Sequence, residues 1–239
     1  MSQYNLSLFN GPITNKQPAG VMTTFWVFQY IKSSMAKPET IELRTIPKQL
    51  GKVLTGGNNS GTITGGIANV DKMVKDRQRD YKSTRLKYVT PSGTFSYCND
   101  ASLICHSRLL CMDLDDICPI SEVNPVFYDF LPECYNMATK ETDAVEALKQ
   151  RLINDTRFNT VMAFRSPRGN GLKWWIEIDL EQCDHRVWFQ GIRNFLMSPE
   201  YGLTDEQVDK HCGNLSRACF LSHDPLVYLR NDLIEDFTI

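Results

Sequence analysis

Residues 160–180 read TVMAFRSPRGNGLKWWIEIDL, in which two apolar runs with β-branched and aromatic residues flank the sequence SPRGNG. Proline, glycine and asparagine supply the backbone conformations of tight turns. The pattern therefore predicts strands at 160–165 and 172–180 that pair in an antiparallel hairpin. Because successive side chains point to opposite faces of a strand, Lys173 and Trp175 are expected to share one face.

A further predicted strand carries two carboxylates at its end. Residues 108–116 read RLLCMDLDD, and alternation places Asp113 and Asp115 on one face while Leu114 points toward a core. Two carboxylates this close repel each other, which raises the pKa of one of them. A hard cation such as Mg²⁺ or Mn²⁺ relieves the repulsion through carboxylate oxygens. Taken alone, the motif is more typical of a solvated strand end.

The hairpin turn collects hydrogen-bond donors that suit an anion. Ser166, Arg168 and Lys173 contribute a hydroxyl and two cations, and Gly169 and Gly171 let a ligand approach the backbone. Such a set is typical of a phosphate site. The alternative is a basic turn without a ligand.

The remaining periodicities mix helices with strands, which predicts the α+β class. Helices are predicted at 138–158 and, capped by Asp184, at 185–197, and a capping box at 204–207 predicts a short third helix. Short strands are predicted at 6–9 and 218–222. The glycine-rich stretch 55–66 is predicted to be a surface loop.

Residues 71–90 carry seven Lys and Arg against three Asp. Interleaved charges of both signs are typical of an exposed helix. The functional alternative is a surface for the phosphates of a nucleic acid. Its candidate contacts are Lys75, Arg77, Arg79 and Lys82.

Composition limits the classes of protein that remain. The chain has 239 residues, of which 42% are hydrophobic, and a net charge of −2. These values predict a globular protein of one large domain or two small ones, without a strongly basic coat. No apolar run approaches the roughly 18 residues that span a bilayer, and the first residues lack the order of a secretory signal, so a cytoplasmic protein is expected. The eight cysteines lack the close pairs typical of zinc sites and are expected to be reduced and mostly buried.

The order of these motifs resembles the archaeo-eukaryotic primase superfamily, namely a D-x-D strand, then Ser-x-x-Gly-x-Gly-Leu-Lys, then an Asp with an Arg downstream. More closely, four segments resemble the VirE N-terminal domain family, whose members are often joined to a helicase-like domain in bacterial mobile elements. The segments are TPSGTF (90–95), DLDD (113–116), SPRGNGLK (166–173) and SRACFLSHDP (216–225). The resemblance covers residues 88–228.

The resemblance implies a primase-polymerase-like core with an RRM-like antiparallel or mixed sheet flanked by helices. It places this core at 81–230 of a single domain, 1–239, with 1–80 matching only loosely. The implied metal-binding and catalytic residues are Asp113, Asp115 and Asp209, with Asp224 as the alternative third ligand. The implied phosphate-binding residues are Ser166, Arg168, Gly169, Gly171, Lys173 and Arg217.

The implied activity is nucleotidyl transfer, as a primase, in the DNA replication of a mobile element. The implied cofactor is Mg²⁺ or Mn²⁺, and the implied substrate is a nucleoside triphosphate. Single-stranded DNA or RNA is the implied template, and a helicase in trans is a candidate partner. No membrane is expected to be involved. The wider superfamily has His at the place of Lys173, and lysine holds phosphate only as a point charge. The alternative is therefore a catalytically silent module that binds nucleic acid or recruits a helicase. A metal-dependent nuclease is less favoured, because its common carboxylate-x-Lys order is absent.

Overall fold

Helices and strands are mixed along the chain, and the α+β class is confirmed. The computed structural model describes residues 3–55, 67–119 and 143–235, without the side chains of 47–55, 67–71 and 235. The strands are β1 (Asn5–Phe9), β2 (Gly20–Thr23), β3 (Tyr88–Thr90), β4 (Gly93–Phe95), β5 (Leu103–His106), β6 (Leu109–Leu114), β7 (Asn159–Arg165), β8 (Leu172–Glu177), β9 (Cys219–Phe220) and β10 (Tyr228–Leu229). The helices are α1 (Thr24–Lys32), α2 (Lys37–Thr55), α3 (Ile67–Arg85), α4 (Ala144–Asn154), α5 (His185–Leu196) and α6 (Asp232–Glu235).

The predicted hairpin is confirmed as the centre of a four-stranded antiparallel sheet in the order β10-β7-β8-β6. β8 ends at Glu177, earlier than predicted. The register sets Asp113 opposite Lys173 and Cys111 opposite Trp175. The carboxylate-bearing end of β6 and the turn between β7 and β8 therefore lie at the same end of the sheet.

A single β-bridge extends this sheet beyond β6. Val208 pairs with Leu114, and the backbone amides of Asp115 and Asp209 donate to the carbonyls of Gln207 and Asp113 at 2.8 and 3.0 Å. In chain order the sheet is built from β6, α4, β7, β8, α5 and then this bridging segment. The bridging segment, β6, β8 and β7 lie side by side in that order.

Both faces of the central sheet are packed. On one face Leu110, Met112, Leu114 and Trp174 are 0% exposed and pack with apolar residues of α4 and α5. On the other face Trp175, also 0% exposed, lies in a cluster with residues of β1 and α1. The expected core on the Leu114 side of the sheet is confirmed, and apolar side chains on the opposite face are buried as well.

A second four-stranded sheet, in the order β2-β1-β3-β9, joins the N-terminal strands to β3 and β9. β3 pairs with β1 on one side and with β9 on the other. The ring of Tyr88 stacks on Phe9 with centroids 4.8 Å apart. Residues of the loosely matched first 80 thus share a sheet with the segment just after Arg217.

Several local predictions can be compared directly. The Asp184 cap is confirmed, since its carboxylate accepts from the Val187 amide at 2.9 Å. The exposed helix that the charges of 71–90 favour forms only as far as Arg85, where α3 ends, and Tyr88–Thr90 are strand β3 because they pair with β1. The capping box forms between Thr204 and Gln207, but it closes a turn and not a helix, because the chain then bridges to β6. The glycine-rich 56–66 and the first part of the predicted 138–158 helix lie outside the described residues. None of the helices in the described ranges has the length and apolarity to cross a membrane.

Candidate functional site

Asp113 and Lys173 form a buried ion pair at the end of the β6–β8 ladder. Their side chains are only 10% and 5% exposed and in direct contact. Burial raises the pKa of the Asp113 carboxyl, and the Lys173 ammonium opposes that rise. Burial acts to lower the pKa of Lys173, but Asp113, Cys219, Asp115 and Cys111 together outweigh it, so the pKa is raised and the amine stays charged. The second carboxylate oxygen of Asp113, Oδ1, is buried without a hydrogen-bond partner.

Asp115 lies one step beyond the ladder in a more basic environment. Its carboxylate is 3.5 Å from the Arg168 guanidinium. Burial opposes ionisation, but the charges of Lys173, Arg168 and Lys82 together lower the pKa of Asp115 below its usual value. The two carboxylates therefore differ, since one pKa is raised and the other lowered. Such divergence is typical of functional pairs and also occurs in structural ion pairs.

Asp209 is brought beside this pair by the β-bridge at Val208. Its backbone amide donates to the Asp113 carbonyl at 3.0 Å. Its carboxylate accepts from the His211 amide at 2.9 Å and pairs with Arg217. The structure thus places Asp113, Asp115 and Asp209 at one end of the sheet, with Asp209 held by a cation.

Asp224, the alternative third ligand, lies in a different environment. Its side chain is 0% exposed and accepts from the Arg165 amide at 2.8 Å, from the Leu226 amide at 2.9 Å and from Lys149 Nζ at 3.4 Å. These bonds make it part of a buried ion network behind the sheet. The placement favours Asp209 over Asp224 as a third carboxylate.

Two buried arginines that the sequence did not single out hold the hairpin turn. Arg44 of α2 donates to the carbonyls of Ser166 and Pro167, both at 3.0 Å. Arg165 donates to the Gly169 carbonyl at 2.7 Å and to the Asp143 carboxylate at 2.8 and 2.9 Å. No local sequence pattern predicts the contact of Arg44 with the turn, because 122 residues separate Arg44 from Ser166 in the sequence.

The turn presents backbone donors opposite these arginines. In a trans peptide the N–H points away from the C=O of the same unit, so the amides of Arg168 and Asn170 point away from Arg44 and Arg165. Within the described part of the chain, neither amide donates an intramolecular hydrogen bond. The Gly169 amide between them donates to the Ser166 carbonyl at 2.9 Å and closes the turn. The two amides on either side of it remain as donors for an anion.

Glycine is required at position 171, where the turn meets β6. A Cβ built there would lie 2.4 Å from the Leu114 carbonyl oxygen and 3.0 Å from Ser166 Oγ. The turn therefore approaches the carboxylate strand more closely than any side chain allows. Gly169 adopts φ +91°, a conformation that favours glycine.

Helix α3 forms the wall facing the turn. A cavity of about 210 Å³ is lined by Asp115 and Arg168 and, from α3, by Lys75, Gln78, Arg79 and Lys82. Burial, together with the Lys173 and Arg168 charges, lowers the pKa of Lys82 to about 8. Gln78 fixes the helix by donating to the Leu43 carbonyl of α2 at 3.4 Å. Arg77 is exposed on another face of α3 and does not line the cavity.

Three buried thiols surround the base of the site. Cys111, Cys212 and Cys219 are at most 6% exposed, and all seven described cysteines are free. Burial raises the pKa of Cys111 and of Cys212 well above the usual value. Both thiols therefore stay protonated and are poor metal ligands.

The donors at the strand end fit a hard divalent cation. Among the described residues, no group of three or more His, Cys, Asp or Glu side chains is assembled to hold a metal ion. Mg²⁺, however, is commonly held by one or two carboxylates, with water and substrate phosphates completing its shell. The unpartnered Oδ1 of Asp113 and the neighbouring Asp115 provide that minimal set.

The comparisons with known proteins reach part of this region. Residues 138–229 match the family model described as BT4734-like, N-terminal domain. The match covers less than half of the chain, and its description names no activity. No curated protein and no solved structure matches the chain. The matched segment contains the turn, Lys173, Asp209 and Arg217, but not Asp113 or Asp115.

Proposed function

We propose that this chain is a primase-like nucleotidyltransferase of a mobile element, which uses a divalent cation and nucleoside triphosphates on a nucleic-acid template. One observation carries the proposal. Among the described residues, the buried Oδ1 of Asp113 has no hydrogen-bond partner, and it lies with Asp115 at the same end of the sheet as a turn in which two backbone amides donate no hydrogen bond. Carboxylates for a cation and donors for phosphates are the two requirements of phosphoryl-transfer sites.

The connectivity supports the finer assignment to an RRM-like core. A β-α-β-β-α-β unit places its third strand between the first two, and β8 lies between β6 and β7 in the same way. The bridge at Val208 takes the place of the fourth strand beside β6. Asp209 then follows the fourth strand next to the D-x-D strand, in agreement with the motif order that resembles the primase superfamily.

The residues divide the work of the reaction between them. Asp113 and Asp115 would hold the cation, which would supply charge stabilisation at the phosphoryl oxygens and at the attacking 3′-hydroxyl. Arg168 and the turn amides orient the triphosphate for attack at the α-phosphate, with pyrophosphate leaving. Lys173 neutralises Asp113 within the fold, and Arg217 does the same for Asp209.

A silent nucleic-acid-binding or helicase-recruiting module is the second candidate. The Asp113–Lys173 and Asp209–Arg217 ion pairs favour it, because each carboxylate already has a cation. A Lys173 charge at this place also competes with a metal for Asp113. The two candidates differ in whether bound Mn²⁺ leads to nucleotide joining.

The test compares Mn²⁺ binding and nucleotide joining in wild type and in the double variant Asp113→Asn with Asp115→Asn. We expect wild type to bind Mn²⁺ by calorimetry and to extend a primer on a single-stranded template. The double variant should lose both while retaining the far-UV circular dichroism of wild type. Asp115→Asn alone, which leaves the Asp113–Lys173 pair intact, should weaken Mn²⁺ binding and so separates loss of the site from loss of the fold. Asp116→Asn is the matched control, because Asp116 is an adjacent carboxylate that also contacts Arg168, at 3.3 Å.

Each outcome has a distinct meaning. Unchanged Mn²⁺ binding in the double variant would make the metal assignment wrong. Mn²⁺ binding that depends on both carboxylates but never leads to joining, on DNA or RNA templates, would favour the silent module.

A further inference from the structure

The basic residues of α3 are arranged for a compact ligand. Lys75, Arg79 and Lys82 follow the i, i+4, i+7 spacing of one helix face, and all three line the cavity that Asp115 and Arg168 close on the other side. Arg77, from the same basic segment, is excluded from it. The four residues predicted as template contacts therefore do not form one continuous surface.

We propose that this α3 face binds the terminal phosphates of the triphosphate, so that α3 and the 166–171 turn clamp a polyphosphate between them. The inference rests on the proposed function for the nucleoside and the chemistry, but the clamp itself needs only phosphate. It reassigns Lys75, Arg79 and Lys82 from the template to the nucleotide. Arg77 has no part in it.

The size of the cavity favours a polyphosphate over a nucleic-acid strand. Its volume of about 210 Å³ is below the roughly 300–1,000 Å³ of pockets that enclose a whole drug-sized ligand. It therefore takes a phosphate tail while the nucleoside lies outside. A continuous strand instead needs an open groove that tracks its backbone.

The charges of the cavity complement a polyanion. Four basic side chains face a single carboxylate, and that carboxylate already contacts Arg168. Lys75 and Lys82 form no ion pair among the described residues, whereas Arg79 contacts Asp76 only at the exposed surface, at 3.4 Å. Arg168 and the two free turn amides supply donors from the opposite wall. Charge-assisted bonds of this kind are the strong ones for phosphate.

The test is a calorimetric titration with inorganic tripolyphosphate in the absence of metal. Arg79→Gln and Lys82→Met should each weaken binding about tenfold, as expected for one lost charged hydrogen bond. Lys82→Met keeps an unbranched side chain of similar length but loses the contact of Nζ with the Phe220 ring, whose centroid is 5.2 Å away. Its thermal unfolding is therefore measured beside the titration, and a folded variant is required. Arg77→Gln is the matched control and should bind within twofold of wild type.

A second titration follows a fluorescent single-stranded oligonucleotide by anisotropy. If Arg79→Gln and Lys82→Met bind tripolyphosphate as wild type does, the clamp is wrong. The same holds if Arg77→Gln weakens oligonucleotide binding as much as they do while tripolyphosphate binding is unchanged. Since no metal and no joining is involved, failure of the proposed chemistry would leave the tripolyphosphate result intact.

Discussion

Lys173 combines a predicted role in phosphate binding with an observed ion pair inside the fold. The sequence predicts that it binds phosphate, yet its ammonium is buried against Asp113. A buried ion pair adds little net stability, but removal of one partner leaves an uncompensated charge. Lys173 therefore acts through Asp113, and its effect on nucleotide binding is expected to be indirect.

Lys173→Met should lower the free energy of unfolding by about 3–5 kcal/mol, because Asp113 is then buried and unpaired. Adding Asp113→Asn removes that charge and should recover most of the loss. Urea unfolding of wild type, both single variants and the double variant gives the coupling free energy. Lys210→Met, at an exposed position, is the control and should change little. A loss below about 1 kcal/mol in Lys173→Met would contradict a buried pair.

Among the structural elements, the hairpin turn is expected to tolerate substitution least. It is held by Arg44 and Arg165 from within and pressed against the end of β6 at Gly171. These contacts leave the turn one conformation, in which its free amides are set for a ligand. Preorganised donors of this kind cost no rearrangement when the ligand binds.

Gly171→Ala should lower the free energy of unfolding by about 1–3 kcal/mol, since its Cβ would lie 2.4 Å from the Leu114 carbonyl oxygen. It should also weaken tripolyphosphate binding, because the turn must move away from β6. Gly191→Ala in α5 is the matched control, with nothing within 4 Å of its Cβ. That change should raise stability by about 0.5–1 kcal/mol. Equal behaviour of the two variants in thermal unfolding would argue against the close approach at Gly171.

The sequence predicted elements whose signals are local. The hairpin, the carboxylate strand and the Asp184 cap each depend on neighbouring residues, and all three are confirmed. The capping box at 204–207 formed its hydrogen bonds without a helix, because pairing of Val208 with Leu114 competes with helix formation. The contact of Arg44 with the turn and the face that α3 presents depend on tertiary packing, which no spacing in one sequence encodes.

At the scale of the whole molecule, the second sheet joins the N-terminal part to the rest of the chain. β3 lies between β1 and β9, so the first strand and residues 219–220 share one hydrogen-bonded layer. α2 reaches from this N-terminal part to the turn through Arg44. The single domain predicted over 1–239 requires that both parts unfold together.

Phe9→Ala should lower the free energy of unfolding by about 3–5 kcal/mol, because Phe9 is 0% exposed and stacks on Tyr88. Tryptophan fluorescence of a Trp26→Phe background, which reports on Trp174, Trp175 and Trp188 outside the N-terminal part, should shift together with far-UV circular dichroism in one transition. Val21→Ala, at a side chain 61% exposed, should stay within about 0.5 kcal/mol of wild type. Two separate transitions would show that the N-terminal part folds as its own unit.

The buried thiols beneath the site allow local opening of the structure to be measured by chemical modification. Cys212 and Cys219 are at most 2% exposed, whereas Cys105 lies at the surface. An alkylating reagent reaches the first two only during brief openings of the surrounding structure, so their modification rate measures how often the site opens. A ligand that bridges α3 and the turn would lower the alkylation rate of Cys212 and Cys219, whereas Cys105 would react at an unchanged rate.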